Sequence, residues 1–470
     1  MSEVKVNKIS PRSGTTVTLG DSGDTFTIPS GATINNQGTA TNFGATGSAS
    51  WVTTVKTSGF TAVAGEGYFV DTTSGAISVN LPAGTAGAVV AIKDYANTFD
   101  TNAVTLVQNG SDKIGGSTVN ATLGDEGIAV TLVFVDSTQG WLVTDSGLQS
   151  EAPTATYISA TGGTITNSSC GNYKIHTFTG PGTFAVSAVG NPEGSDKVDY
   201  LVAAGGGSGA STPGGGVGLG GAGAGGLRFY QSPDISGNPA APLNGPTALP
   251  VAACGSYPVT VGAGGVAPST PSPSGAANNG SNSVFAGTTT ITSAGGGYGA
   301  NDGGGGAPGG SGGGNANNHP AGAGNGNTPP VSPAQGKDGG AANPTSAPGW
   351  AAGGGGGALA NGSVSNGSEA GAGGVGGGFP ENFVGTNGQP SGSFRYFSGG
   401  GGGGSRSSPP GPSCGGLGGG GAGIQTGPGA GTAGTVNTGG GAGGGAGNPG
   451  SMVGATGGSG IVIIRYKFQG

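Results

Sequence analysis

Charge is scarce in this sequence. Lys, Arg, Asp and Glu together make 7% of its 470 residues, and the formal net charge is −7. That leaves no basic field for nucleic acid and no polybasic patch for a membrane surface. No apolar run reaches the length of about 18 residues that a membrane-spanning helix needs. The opening MSEVKVNK lacks the apolar core of a secretory signal. Cys170, Cys254 and Cys414 are the only cysteines. They are odd in number, far apart and without CxxC spacing, so they read as reduced thiols rather than a disulfide framework. Histidine occurs twice, as His176 and His319; both read as structural or solvated. No GxSxG, HExxH or P-loop is present. Asp125 and Glu126 are neighbours in the turn LGDEG and point apart, unlike the paired carboxylates of a glycosidase. Asp21 and Asp24, in GDSGD, read as a turn, and GGGYGAND is not the repeating GGxGxD calcium motif. A non-enzyme without metal or cofactor is the expectation.

Glycine is what the sequence has in excess, 116 residues beside 30 prolines. Only 27 of those glycines fall in the first 204 residues, which leaves 89 for the last 266. The chain therefore divides near Ala204 into a β-like half and a glycine half.

The first half reads as strands. TTVTLGDSGDTFTIPSGATI (15–34) gives short alternating runs broken by turn sequences. They carry too little apolar surface for a core of their own, which leaves a linker or, the expected reading, a β-prism completed by copies of itself in a homotrimer. GYFVDTTSGAISVNLPAGTAGAVVAIKDY (67–95), AVTLVQNGSDKIGG (103–116) and GIAVTLVFVDSTQGWLVTD (127–145) place turns at the spacing of an antiparallel sandwich. YKIHTFTGPGTFAVSAVG (173–190) reads as a hairpin turning at Gly180-Pro181-Gly182, and no helix of convincing length is visible.

In DKVDYLVAAGGGSG, YPVTVGAGG and TTTITSAGGGYG a strand runs directly into glycines, and GGSGIVIIRYKFQG leaves them into a closing strand. The tracts thus grow out of a β scaffold. Collagen is excluded, because Gly353–Gly357 and the long insertions break its strict three-residue period. Extended glycine helices with three residues per turn make no internal hydrogen bonds, so packed side by side they must pair their backbone groups with neighbours. A disordered glycine linker is the competing reading. The expected class is mainly β: short N-terminal β segments and a virion-attachment region (1–50), an antiparallel β-sandwich (51–148), a β scaffold (149–204), and a polyglycine-II bundle with binding loops and a closing strand (205–470).

The phrases YKIHTFTGPGTF, VDYLVAAGGG, YPVTVGAGG, SVFAGTTTITSAGGG, QGKDGG and GGSGIVIIRY resemble the glycine-rich domain of bacteriophage tail-fibre proteins. More loosely they resemble the tail-tip adhesins of T-even-like phages, whose glycine tracts form a polyglycine-II sandwich. The block 51–147 and the start VKVNKISPRSG resemble shaft domains and openings of such fibres. The resemblance implies a virion tail fibre, made in the host cytoplasm, with its N-terminus on other tail proteins. It also implies loops between tracts that touch a host-surface receptor, a glycan or an outer-membrane protein. The alternative is a decorating fibre without receptor binding. Loops 227–246, 315–335, 377–399 and 405–414 carry the aromatic and polar residues for such contacts. The candidate receptor residues are Phe394, Arg395, Tyr396, Phe397, Phe383, Phe229 and Tyr230, with burial as caps on glycine-helix ends as the competing role for the aromatics.

Overall fold

The computed structural model of the chain describes residues 9–18, 24, 25, 27, 49–145 and 155–469, without 193, 214–216, 271–276, 303, 317–321, 344–349, 367–368, 407–412, 426–428 and 447–450. The chain divides into two compact units, Met1–Ala152 and Pro153–Gly470. Of the N-terminal β segments, Leu19, Phe26, Ile28 and Ile34 lie outside the described residues, and 9–18, which includes Val17, carries no strand.

The first unit holds β1 (Ser50–Lys56), β2 (Phe60–Thr61), β3 (Glu66–Val70), β4 (Ile77–Asn80), β5 (Val89–Asp94), β6 (Val104–Val107), β7 (Ala121–Leu123), β8 (Ala129–Phe134) and β9 (Trp141–Asp145). Two sheets form, in the orders β1-β3-β5-β8-β9 and β2-β4-β6-β7. Alternation buries every second residue of β4 and β8, and Val70, Val79, Ile92, Leu106, Leu132 and Trp141 meet in one apolar interior. The class is mainly β, but the sheets are mixed where antiparallel pairing was expected. β1, β3 and β5 run parallel, as do β2, β4 and β6; only the later pairs are antiparallel. The cause is the winding. From β1 to β6 the chain steps to the opposite sheet at each turn, so it returns to a given sheet running the same way. Each step supplies the crossover that parallel neighbours require.

The second unit begins with a true sandwich. It comprises β10 (Ser159–Thr161), β11 (Thr164–Asn167), β12 (Tyr173–Phe178), β13 (Gly182–Ala188), β14 (Lys197–Ala203), β15 (Leu227–Tyr230), β16 (Leu249–Pro250), β17 (Ser256–Thr260), β18 (Ser283–Ala286), β19 (Thr290–Ser293), β20 (Gly377–Pro380), α1 (Glu381–Val384), β21 (Gln389–Ser391), β22 (Phe394–Phe397) and β23 (Ile461–Lys467). Sheets β11-β12-β23-β14-β15 and β10-β13-β17-β18-β19 enclose Phe178, Phe184, Val202, Phe285, Val462 and Ile464. The expected hairpin at 173–190 is not one. β12 pairs with β11 and β23, while β13 pairs with β10 and β17. Gly180-Pro181-Gly182 crosses from one sheet to the other because Phe178 and Phe184 both belong to the interior between them.

From β14 and β15 the chain enters the glycine tracts. Tract 218–226 shows how they pair. Gly218, Gly221 and Ala224 donate N–H groups to Trp350, Gly353 and Gly356. Leu219, Ala222 and Gly225 donate to Gly445, Ala442 and Gly439, and Gly220, Gly223 and Gly226 to Ala300, Gly297 and Ala294, all at 2.8–3.0 Å. Every third residue faces the same neighbour, which is the geometry of an extended helix with three residues per turn. The carbonyls of the same tract accept from Gly404 and Gly401, from Gly314 and Ser311, and from Gly207. One tract is thus ringed by six others, some parallel and some antiparallel. A Cβ built on Gly221 would stand 2.2 Å from the Gly401 oxygen, and one on Gly355 1.9 Å from the Ala222 oxygen. Only hydrogen fits there. Each bond nets about 1 kcal/mol while each ordered residue costs about 1–2 kcal/mol, so the array holds only by cooperating across its breadth and by its anchorage on the sandwich.

Candidate binding surface

The segment 377–399 folds back on the scaffold. β20, β22 and β21 form a small sheet, with Pro380 leading in extended backbone into the single turn of α1. Gly385, at φ +62°, reverses the chain after it. This brings Phe379, Phe383, Val384 and Phe397 onto the face of the sheet formed by Ile175, Leu201, Phe229 and Ile463. The rings meet edge to face, Phe229 and Phe379 with centroids 4.7 Å apart, and Phe379 and Phe383 5.6 Å apart. Burial of each contributes about 1.5–3 kcal/mol.

Three expected receptor residues are therefore corrected. Phe229, Phe383 and Phe397 are at most 1% exposed; they fasten the segment to the scaffold and present nothing to a partner. Their apolar spacing suits a core as well as a surface, and the sequence does not separate the two. Phe394, Arg395 and Tyr396 are half-buried. Tyr396 covers Gly378, where a Cβ would come within 2.7 Å of its ring. Arg395 donates to Glu381 Oε1 from Nε at 2.9 Å and Nη2 at 2.6 Å. Tyr230, also half-buried, stands opposite Tyr200 in the pair of β14 and β15.

Sequence reasoning missed a charged cluster beside Tyr230. Arg465, 0% exposed, donates from Nη1 to Asp199 at 2.5 Å and from Nη2 to Asp234. Its guanidinium lies over the Tyr173 ring, 3.5 Å from the centroid. Ser232 donates its hydroxyl to Asp199. Burial pushes the Asp199 carboxyl up, against the pull of Ser232 and Arg465. Burial is the largest influence on Asp234 too, but the hydrogen bond and charge of Arg465, with hydrogen bonds from Ser232 and Tyr173, together outweigh it and hold that carboxyl low. The signal was one cation inside the apolar run IVIIRYK.

His176 is fully buried between the sheets, with Nδ1 2.7 Å from the Gly162 oxygen and Nε2 3.1 Å from the Tyr466 hydroxyl. The neutral ring satisfies both partners, and burial depresses its pKa. His319 lies outside the described residues. Cys170, Cys254 and Cys414 are free and exposed. Among the described residues no group of three or more His, Cys, Asp or Glu is placed to hold a metal, and no helix is long and apolar enough to cross a membrane.

Tract direction sorts the connections. Thr212 bonds with Met452, Gly218 with Trp350, Ala300 with Gly314, Asn315 with Gly340, Ser365 with Ala341, Ser405 with Ile424, and Gly429 with Ala446. These residues flank one set of links between tracts and stand together at one end of the lattice. Ala204, Gly226, Ala294, Gly310, Ala358, Gly376, Ser398 and Ser459 flank the other set, at the end occupied by the sandwich and by 377–397. Phe394–Phe397 thus belongs to the scaffold end. At the opposite end Pro213, Thr270, Asp302, Asn366, Glu369 and Ser451 are exposed, and Val217, Leu219, Met452 and Trp350 form a small apolar cluster.

The architecture defines a class of protein whose interior is largely backbone, a glycine lattice grown from a β-sandwich. Residues 178–467 match the glycine-rich domain family, and the chain belongs to that family. No curated protein matches it.

Proposed function

We propose that this chain is a bacteriophage tail-fibre adhesin whose glycine-rich domain holds loops against a host-surface receptor, a glycan or an outer-membrane protein. The observation that carries the reading is the sorting of connections by the lattice. One end is built over by strands, and the other gathers short links rich in polar residues and proline on a stiff support. A stiff support favours binding, because less of the chain is left to order on contact. The membership of 178–467 in the glycine-rich domain family and the resemblance of the phrases around the tracts support a fibre. Receptor contact then falls on the end away from the scaffold. In this reading residues 1–50 join three copies of the chain to other tail proteins.

Adsorption tests it. Particles carrying Thr270→Arg, Asp302→Arg and Ser451→Arg together are expected to attach at least about tenfold more weakly than the parent, since unpaired charge placed in an interface costs several kcal/mol. Particles with Arg395→Ala and Tyr396→Ala should attach normally. Normal attachment of both, at normal fibre content, would make the chain a decorating fibre. Loss only in the second would move the receptor to the scaffold end.

A further inference from the structure

The Arg465 cluster opens on a hollow of about 260 Å³, lined among others by Tyr173, Lys197, Tyr230, Asp234, Arg465 and Lys467. Its floor is a row across three strands. Arg465 faces Asp199 on one side and Ile175 on the other, and Tyr173 faces Lys467. Within that row the negative charges are spent, because both carboxylates serve Arg465. Arg465 keeps Nε buried and without a partner. The lysines are not spent. Neither Lys197 nor Lys467 forms an ion pair among the described residues; Lys467 Nζ lies 5.5 Å from the Tyr157 ring, and Lys197 extends from an exposed position. The five charged groups, Lys197, Lys467, Arg465, Asp199 and Asp234, leave one positive charge, and both lysines line the hollow.

We propose that this hollow binds an acidic sugar, one hexuronate-like residue of a polysaccharide, with its carboxylate between Lys197 and Lys467 and its ring against Tyr230. The size argues for a single sugar unit, since the hollow lies below the range of about 300–1,000 Å³ typical of larger ligands. The rings offer flat apolar faces with a polar rim, which suits a pyranose. Ser232 and the half-exposed Asp234 offer partners for hydroxyls. A surplus of one positive charge suits a single carboxylate on a hydroxylated body better than a multiply charged phosphate. The site stands apart from the loop end of the lattice and does not depend on the chain being a fibre.

Titration of the full-length protein with sodium D-glucuronate, followed by ligand-observed NMR, tests this without a virion. The expected Kd is on the order of 1 mM, the strength of a ligand of this few atoms, and it weakens as salt is added. D-Glucose should bind at least about tenfold more weakly, because charge-assisted hydrogen bonds are lost. Lys197→Gln with Lys467→Gln should lower glucuronate affinity by a similar factor and leave the thermal melt unchanged; each lysine varied singly covers the case in which the pair alters folding. The proposal is overturned by no saturable glucuronate binding, by glucose or inorganic phosphate binding as tightly, or by lysine variants that bind as the parent does.

Discussion

Residues 49–145 and residues 204–460 exclude water in opposite ways. In the first region side chains do it, with Leu106, Leu132 and Trp141 filling the space between two sheets. In the second the main chain does it, and a glycine hydrogen lies where a side chain would otherwise be. A side-chain core tolerates the loss of atoms at the cost of a cavity and is partly insensitive to which apolar residue fills it. A backbone core has no such latitude, since its neighbours are carbonyl oxygens held in their own hydrogen bonds. Small additions break the second kind, and deletions break the first.

The largest expected effect tests this contrast directly. Gly355→Val or Gly402→Val puts a branched side chain where a Cβ alone stands 1.9 Å or 2.1 Å from a carbonyl oxygen. Destabilisation above about 4 kcal/mol is expected. Limited proteolysis with fragments identified by mass should show 205–460 cut while 51–145 survives. Wild-type resistance throughout would mean that the lattice yields to side chains. The next effect is the mirror of the first. Leu106→Ala and Phe379→Ala should each cost about 2–5 kcal/mol, the former opening only the first unit and the latter freeing 377–397 from the sandwich. Hydrogen exchange would locate each loss, and a loss spread over both units would erase the distinction. The smallest effect concerns pH. Burial holds the His176 pKa below its ordinary 6.5 in the folded chain. The unfolded chain therefore takes up the proton first, so stability is complete above 6.5 and declines as pH falls through the window below it. Thermal melts between about pH 7.5 and about pH 5.5 should show the decline for the second unit, reduced in His176→Gln. An equal decline in that variant would remove His176 as its source.

The two regions also differ in how far the sequence discloses them. Alternating runs such as AVTLVF mark strands, and β3, β4, β5, β8 and β9 lie where such runs fall. Alternation does not say which sheet a strand joins, and the links between β1 and β6 look like hairpin turns although each crosses to the facing sheet. The same ambiguity made a hairpin of 173–190. The lattice is legible in another way, because strands that run into glycines and a final strand that leaves them imply anchored tracts. Which neighbour each residue faces is set by the third-residue rule together with partners as distant as Leu219 and Gly445, and no local pattern encodes it. The candidate site was the least legible part. FRYF and ENFV present the residue types of a binding loop, yet the Ile175, Leu201, Phe229 and Ile463 side chains that bury their apolar members are distant in sequence. Arg465 was visible as a lone cation among Ile and Val, and only the register with Asp199 gives it a meaning.

The strand that leads into the lattice, β14, and the strand that leads out, β23, are antiparallel neighbours in one sheet. Between them the chain supplies β15 to β22 and, from these, runs out along the glycine tracts and back. Because tracts alternate in direction, only an even change in their number returns the chain to β23 on the correct side. A gene encoding such a domain can therefore lengthen or shorten by whole out-and-back pairs and still close the same sheet, while a single gained or lost tract delivers IVIIRYK to the wrong end. Variation in this architecture should accumulate as duplicated or deleted pairs of tracts.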